Sequence, residues 1–144
     1  MKNIKESLTQ STYINISKVL TSELGMKKAF FLTLYINEAE RVQEEWFQLK
    51  RADIEESWGI SPLIQRGIAN QLIADGLLHV KKEGMPRVNY YKVDFHKIEE
   101  ILIEATPRYL EECQRQDEEY HKEFLRDQER FAKQKLKQES QNEL

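Results

Sequence analysis

A single cysteine, Cys113, occurs in 144 residues, so no disulfide framework can form within the chain. Its neighbours Glu111 and Glu112 are acidic, the opposite of the electropositive surroundings that activate a thiol. The three histidines, His79, His96 and His121, are far apart and lack the spacing of a zinc site, so no metal is expected. No apolar run approaches the ~18 residues of a membrane span, and the opening MKNIKESLTQ lacks the apolar segment of a signal peptide. These absences lead us to expect a cytoplasmic protein with no membrane association. Also missing are a phosphate-cradling glycine loop, a serine-nucleophile motif and paired acids in an apolar setting. No catalytic residue, enzyme activity or cofactor is therefore expected.

Basic charge is scarce as well. Net charge is −3, and of three successive segments none carries more than one excess base. Residues 1 to 50 carry seven Lys and Arg against six Asp and Glu, residues 51 to 105 seven against nine, and residues 106 to 144 eight against ten. A local exception lies near the middle, where Lys81, Lys82, Arg87 and Lys92 face only Glu83. Charged residues make up 33% and hydrophobic residues 40%, which fits one modest core with part of the chain outside it.

Residues 51 to 93 hold the densest local signals. Arg51 to Trp58 reads as a short helix with Ile54 and Trp58 on one face, stopped by Gly59, and Lys50 before it is not a capping residue. Ile60 plugs the turn. Ser61 as N-cap and Pro62 at the first helical position start a second helix, ended by Asp75-Gly76. Its apolar stripe is Ile64, Ile68 and Leu72, leaving Leu63, Arg66 and Asn70 on the opposite face with Gln65 and Gln71 on the flanks. Leu77 to Lys82 and Arg87 to Val93 then read as two strands joined by the turn Glu83-Gly84-Met85-Pro86.

The order helix, glycine turn, capped helix, hairpin resembles the winged helix-turn-helix superfamily, and the G-I-S, I-Q-R-x-I, L-x-x-x-G-L-L and G-M-P-x-x-x-Y-Y-x-V segments are most similar to small winged domains of phage and plasmid proteins. The resemblance covers residues 12 to 93. It implies an α+β fold, mainly helical with a small antiparallel sheet, whose second helix enters the major groove of double-stranded DNA while the wing meets the backbone. The recognition helix would offer Ser61, Leu63, Gln65, Arg66 and Asn70. Arg suits guanine, Asn and Gln suit adenine, and an apolar side chain suits a thymine methyl. Lys81, Lys82, Arg87 and Asn89 would serve as the wing contacts. Lys27 and Lys28, at the start of a preceding helix, have the charge for phosphate contacts, although solubility explains them equally well. Tyr91 and Val93 share a face by period two and are expected in the core rather than at a contact.

Around this segment the chain reads as support. Tyr13 to Ile16 is expected as a short edge strand, and Ser17 caps a helix from Lys18 to Leu24 closed by Gly25. Met26 to Val42 is the most apolar helix and the expected centre of the core; Trp46 to Leu49 is expected as a strand beside the hairpin. Asp94 caps a further helix ending near Thr106, where Thr106-Pro107 repeats the start signal for a long, highly charged helix. Its thin apolar seam, Leu110, Cys113, Tyr120, Phe124 and Phe131, falls at heptad spacing interrupted by Asp117 and Asp127. A long isolated helix is marginal in water, so this seam is the expected dimerisation element.

The resulting organisation is a winged domain over residues 12–105, a dimerising helix over 106–139, and flexible ends at 1–11 and 140–144. The expected activity is sequence-specific binding of an inverted repeat by a homodimer, in transcription regulation, DNA replication or partition of a mobile element. The rival reading is a winged module that docks a protein partner in such an assembly.

Overall fold

The computed structural model describes residues 13–142. The expected flexible segment 1–11 and the last two residues lie outside them. In chain order come α1 (Lys18–Leu24), α2 (Met26–Val42), α3 (Arg51–Trp58), α4 (Pro62–Ala74), β1 (Leu78–Glu83), β2 (Val88–Val93) and α5 (Phe95–Asn142). The fold is mainly helical with a two-stranded antiparallel sheet and a long C-terminal helix. Contacts divide the described residues into two compact units, one ending at Ala105 and the other beginning at Thr106.

In the first unit α2 is the central helix, with Ala29, Phe31, Leu32 and Tyr35 buried. Leu20 of α1, Ile54 of α3, Ile68 and Leu72 of α4, and Leu77, Leu78, Tyr91 and Val93 of the hairpin complete the core with Ile98. Aromatic edges lock it together: Tyr35 lies 5.0 Å from Tyr91, and Phe30 packs edge-on against Trp58 at 5.0 Å. Burial and the neighbouring Tyr91 push the Tyr35 phenol well above its ordinary range, so it stays neutral.

Caps explain most of the boundaries. The Ser17 hydroxyl accepts from the Leu20 amide at 3.2 Å and the Ser61 hydroxyl from that of Ile64 at 3.4 Å. Gly59 closes α3 at φ 67°, a left-handed conformation that favours glycine. Asp94 starts α5 by accepting from the Lys97 amide at 3.0 Å, and it also pairs with His79 at 2.9 Å. The His79 contact, then the Lys97 amide, holds this carboxyl below its ordinary value. Lys50 makes no side-chain cap, yet α3 begins where expected.

Five expectations are corrected. Residues 13–16 form no strand; Ile16 packs on the core instead. The strand expected over residues 46–49 shrinks to one bridge, in which Phe47 and Tyr91 exchange amide-to-carbonyl bonds of 2.9 and 2.7 Å. Burying Phe47 leaves its neighbours outside the sheet, because only one residue of this extended turn is drawn inward. Thr106-Pro107 does not begin a new helix, since α5 runs through Pro107. Proline removes one amide donor from an otherwise intact ladder, and the Glu, Leu and Arg around it favour helix. Residues 140–142, expected to be loose, belong to α5. Finally, Ile64 is 53% exposed rather than part of the core stripe. Positions four apart on a helix drift by about 40° per step, so the first member of the Ile64, Ile68, Leu72 series rotates off the packed side. Among the described residues no helix is long and apolar enough to cross a membrane.

Candidate nucleic-acid interface

Helix α4 presents two faces. Gln65, Ile68, Ala69 and Leu72 are buried, while Ser61, Leu63, Arg66, Gly67 and Asn70 are exposed. Spacings of three and four place the buried residues on one side and Leu63, Arg66 and Asn70 on the other. Arg66 is the sole charged side chain in α4 and has no ion pair among the described residues. The exposed face therefore combines a guanidinium, a carboxamide one turn on and an apolar side chain near its N-terminal end.

Gln65 is not part of that face. Its side chain is 2% exposed, and its Nε2 donates to the carbonyls of Arg51 at 3.0 Å and Ile60 at 2.8 Å. The amide thus ties the start of α3 and the following turn to α4. Carbonyls in a sharp turn need donors once buried, and a long amide one helical turn away supplies them. Its Oε1 is buried and finds no donor in the protein. The expected adenine contact by Gln65 is accordingly withdrawn.

Strand alternation divides the hairpin. Lys82 stands opposite Asn89, on the same side as the Val80 and Tyr91 pair, whereas Lys81 stands opposite Tyr90 on the other side. Lys81 is already engaged: its Nζ lies 4.6 Å above the Trp46 ring and 3.3 Å from Glu83. Lys92 pairs with Glu45 at 2.7 Å, which raises the lysine and lowers the carboxylate relative to their ordinary values. Asn89 is half-buried and its amide reaches the Tyr91 hydroxyl at 3.5 Å. Lys82 and Arg87 remain exposed near the turn. The expected quartet is thus not one cluster; its two exposed cations are Lys82 and Arg87. Of the lysines opening α2, Lys28 bonds Asp75 at 2.8 Å and Lys27 is exposed.

Two features of this region escape a reading of residue types. Gly67 sits on the exposed face of α4, and a Cβ added there would meet nothing within 4 Å. Packing therefore gives no reason for a glycine in mid-helix, where it costs about 0.5–1 kcal/mol relative to alanine. The signal was present in the sequence as a glycine inside a helical pattern. The second feature is an apolar groove of about 340 Å³ beside α4, lined by Met26, Phe30, Ile60, Ile64 and Ile68 among others. The rotation of Ile64 off the core creates one of its walls.

In the second unit Leu110, Tyr120, Phe124 and Phe131 are 49–77% exposed, and Cys113 is half-buried. The Cys113 thiol one turn on holds the Tyr109 phenol above its ordinary value.

No protein-family model matches the chain, and neither does any curated protein. One solved structure, described as the N-terminal domain of a DNA binding protein, aligns with a TM-score of 0.47 at 18% identity, covering 69% of this chain and 92% of that one.

Proposed function

We propose that this protein binds double-stranded DNA at specific sequences, acting as a homodimer on an inverted repeat, as a transcriptional regulator or a replication or partition accessory factor. The observation that carries the reading is the outward face of α4, where Leu63, Arg66 and Asn70 are exposed on a helix held by a Ser61 cap and the Gln65 tie. An arginine and an asparagine one turn apart can each form two hydrogen bonds to a base edge in a major groove. Lys82 and Arg87 supply the wing with charge for the phosphate backbone. Two such units joined through residues 106–142 would meet half-sites about one helical turn apart, roughly 34 Å or a multiple.

The direct test is selection from a random duplex pool at physiological salt with the full chain. Enrichment of an inverted repeat is the expected result. A folded protein that enriches nothing would sink the reading.

Gly67 offers a sharper check. Gly67→Ala should raise the melting stability by about 0.5–1 kcal/mol, since the site has room and alanine favours helix. The same methyl should lower affinity for the selected DNA, because it stands on the face that meets the bases. A variant that is more stable and binds equally well would show that this face does not make close contact.

A second reading has its own observation. The groove lined by Met26, Phe30, Ile60 and Ile64 adjoins α4, and Leu63 is 78% exposed. An apolar surface in an acidic chain also suits a protein partner. Ile64→Glu separates the two: loss of a protein interaction with unchanged DNA selection would favour docking.

A further inference from the structure

The helix from residue 106 to 142 makes no use of its own apolar seam. Leu110, Tyr120, Phe124 and Phe131 stand exposed along it. Its charge is also divided end to end. Residues 111–123 hold six acids against Arg115 and Lys122, and Arg115 is already bonded to Glu112 and Glu119. Residues 126–137 hold five bases against Asp127 and Glu129. A segment that is acidic in its first half and basic in its second is complementary to itself only when reversed.

Building on the homodimer in the functional reading, we propose that this helix pairs with a second copy of itself in antiparallel orientation. The seam selects the same direction independently of the charge halves. Parallel pairing in register would set Asp117 against the second copy's Asp117 and Asp127 against its Asp127, two like-charge contacts inside the seam. Antiparallel pairing with Tyr120 opposite Phe131 instead sets Asp117 opposite Gln134, whose amide can donate to the carboxylate, and Asp127 opposite Phe124. In that register Glu123 flanks the seam beside Arg130 of the second copy, and by symmetry the contact occurs twice. Within the described residues neither side chain has an ion pair of its own. Cys113 falls opposite Gln138, away from the other Cys113.

Two measurements on the full chain test the arrangement. The first is a charge exchange followed by mass in solution: Glu123→Arg should raise the dimer dissociation constant roughly ten-fold or more, and adding Arg130→Glu should restore it. The second is oxidative cross-linking. Wild type should give little covalent dimer through Cys113, while Tyr120→Cys with Phe131→Cys in a Cys113→Ala background should give at least ten-fold more than either single cysteine variant. Glu123, Arg130, Tyr120 and Phe131 are exposed on a helix, and half-buried Cys113 is replaced by alanine, a strong helix former, so folding is not at issue. Efficient cross-linking of wild type through Cys113, or of Tyr120→Cys alone, would establish the parallel form and overturn the proposal. A monomer at all concentrations would overturn it too. In either case, retained sequence-selective binding of half-sites would leave the DNA-contact reading standing, and its loss would be seen separately in the pool selection.

Discussion

Gln65→Glu should unfold at a much lower temperature than wild type near neutral pH. The Gln65 amide nitrogen donates to two main-chain carbonyls, those of Arg51 and Ile60, inside a side chain that is 2% exposed. Glutamate is nearly isosteric, so the change adds no cavity. It replaces a donor with a carboxylate that faces two acceptors. A buried charge left uncompensated costs about 3–5 kcal/mol, a large share of the 5–15 kcal/mol that roughly holds a domain of this size together. That corresponds to a loss on the order of 15–25 °C in melting temperature. The sign with pH follows. Burial raises the folded-state pKa of the introduced carboxyl above its unfolded value of about 4.3, so the variant is least handicapped below that value and loses stability as pH rises through the raised one. Melting curves of wild type, Gln65→Glu and Gln65→Leu from pH 3.5 to 8 measure this. Gln65→Leu should show a smaller deficit with little pH dependence. A deficit for Gln65→Glu that stays constant over the range would mean that the side chain escapes to solvent.

Arg66→Ala should leave stability nearly unchanged and alter base preference instead. The side chain is exposed and has no ion pair among the described residues. On the proposed DNA-binding reading its loss would remove one bidentate base contact, worth ~1–3 kcal/mol, so discrimination should fall roughly 10- to 100-fold at one or two positions of the selected site. Arg66→Lys should not restore it, because an ammonium cannot reproduce the planar fork of the guanidinium. The contrasting variant is Lys82→Ala with Arg87→Ala, which should weaken binding to every sequence alike and reduce the salt slope by about two. Quantitative binding to the selected site and its single-base variants, at two salt concentrations, separates the two effects. An Arg66→Ala protein with unchanged base preference would remove Arg66 from the recognition surface.

Local signals carried the element boundaries well because each depends on short-range chemistry. Ser61 before Pro62, Gly59 after Trp58 and Asp94 before Phe95 act through hydrogen bonds and backbone angles within one helical turn, and α3, α4 and α5 begin or end there. The alternation of Tyr91 and Val93 placed both in the core for the same reason. Failures came where a side chain's fate depended on distant neighbours. Gln65 and Ile64 exchanged expected roles, the polar residue turning inward because buried carbonyls of α3 and the turn needed a donor. Lys81, grouped with Lys82 by sequence adjacency, stands across the strand from it and rests on Trp46, which reaches it from a separate extended segment.

The amino-acid sequence alone determined the first four helices and the hairpin, the Ser17, Ser61 and Asp94 caps and the Gly59 stop that bound them, and the heptad seam. All of these arise from contacts between residues a few positions apart. Only the tertiary structure decided which side of α4 faces outward, which wing cations are exposed, and that the Phe47 segment contributes one bridge in place of a strand. Those outcomes depend on the rotation of each element against the others, which is set by the requirement that buried carbonyls find donors and that the apolar volume around α2 be filled.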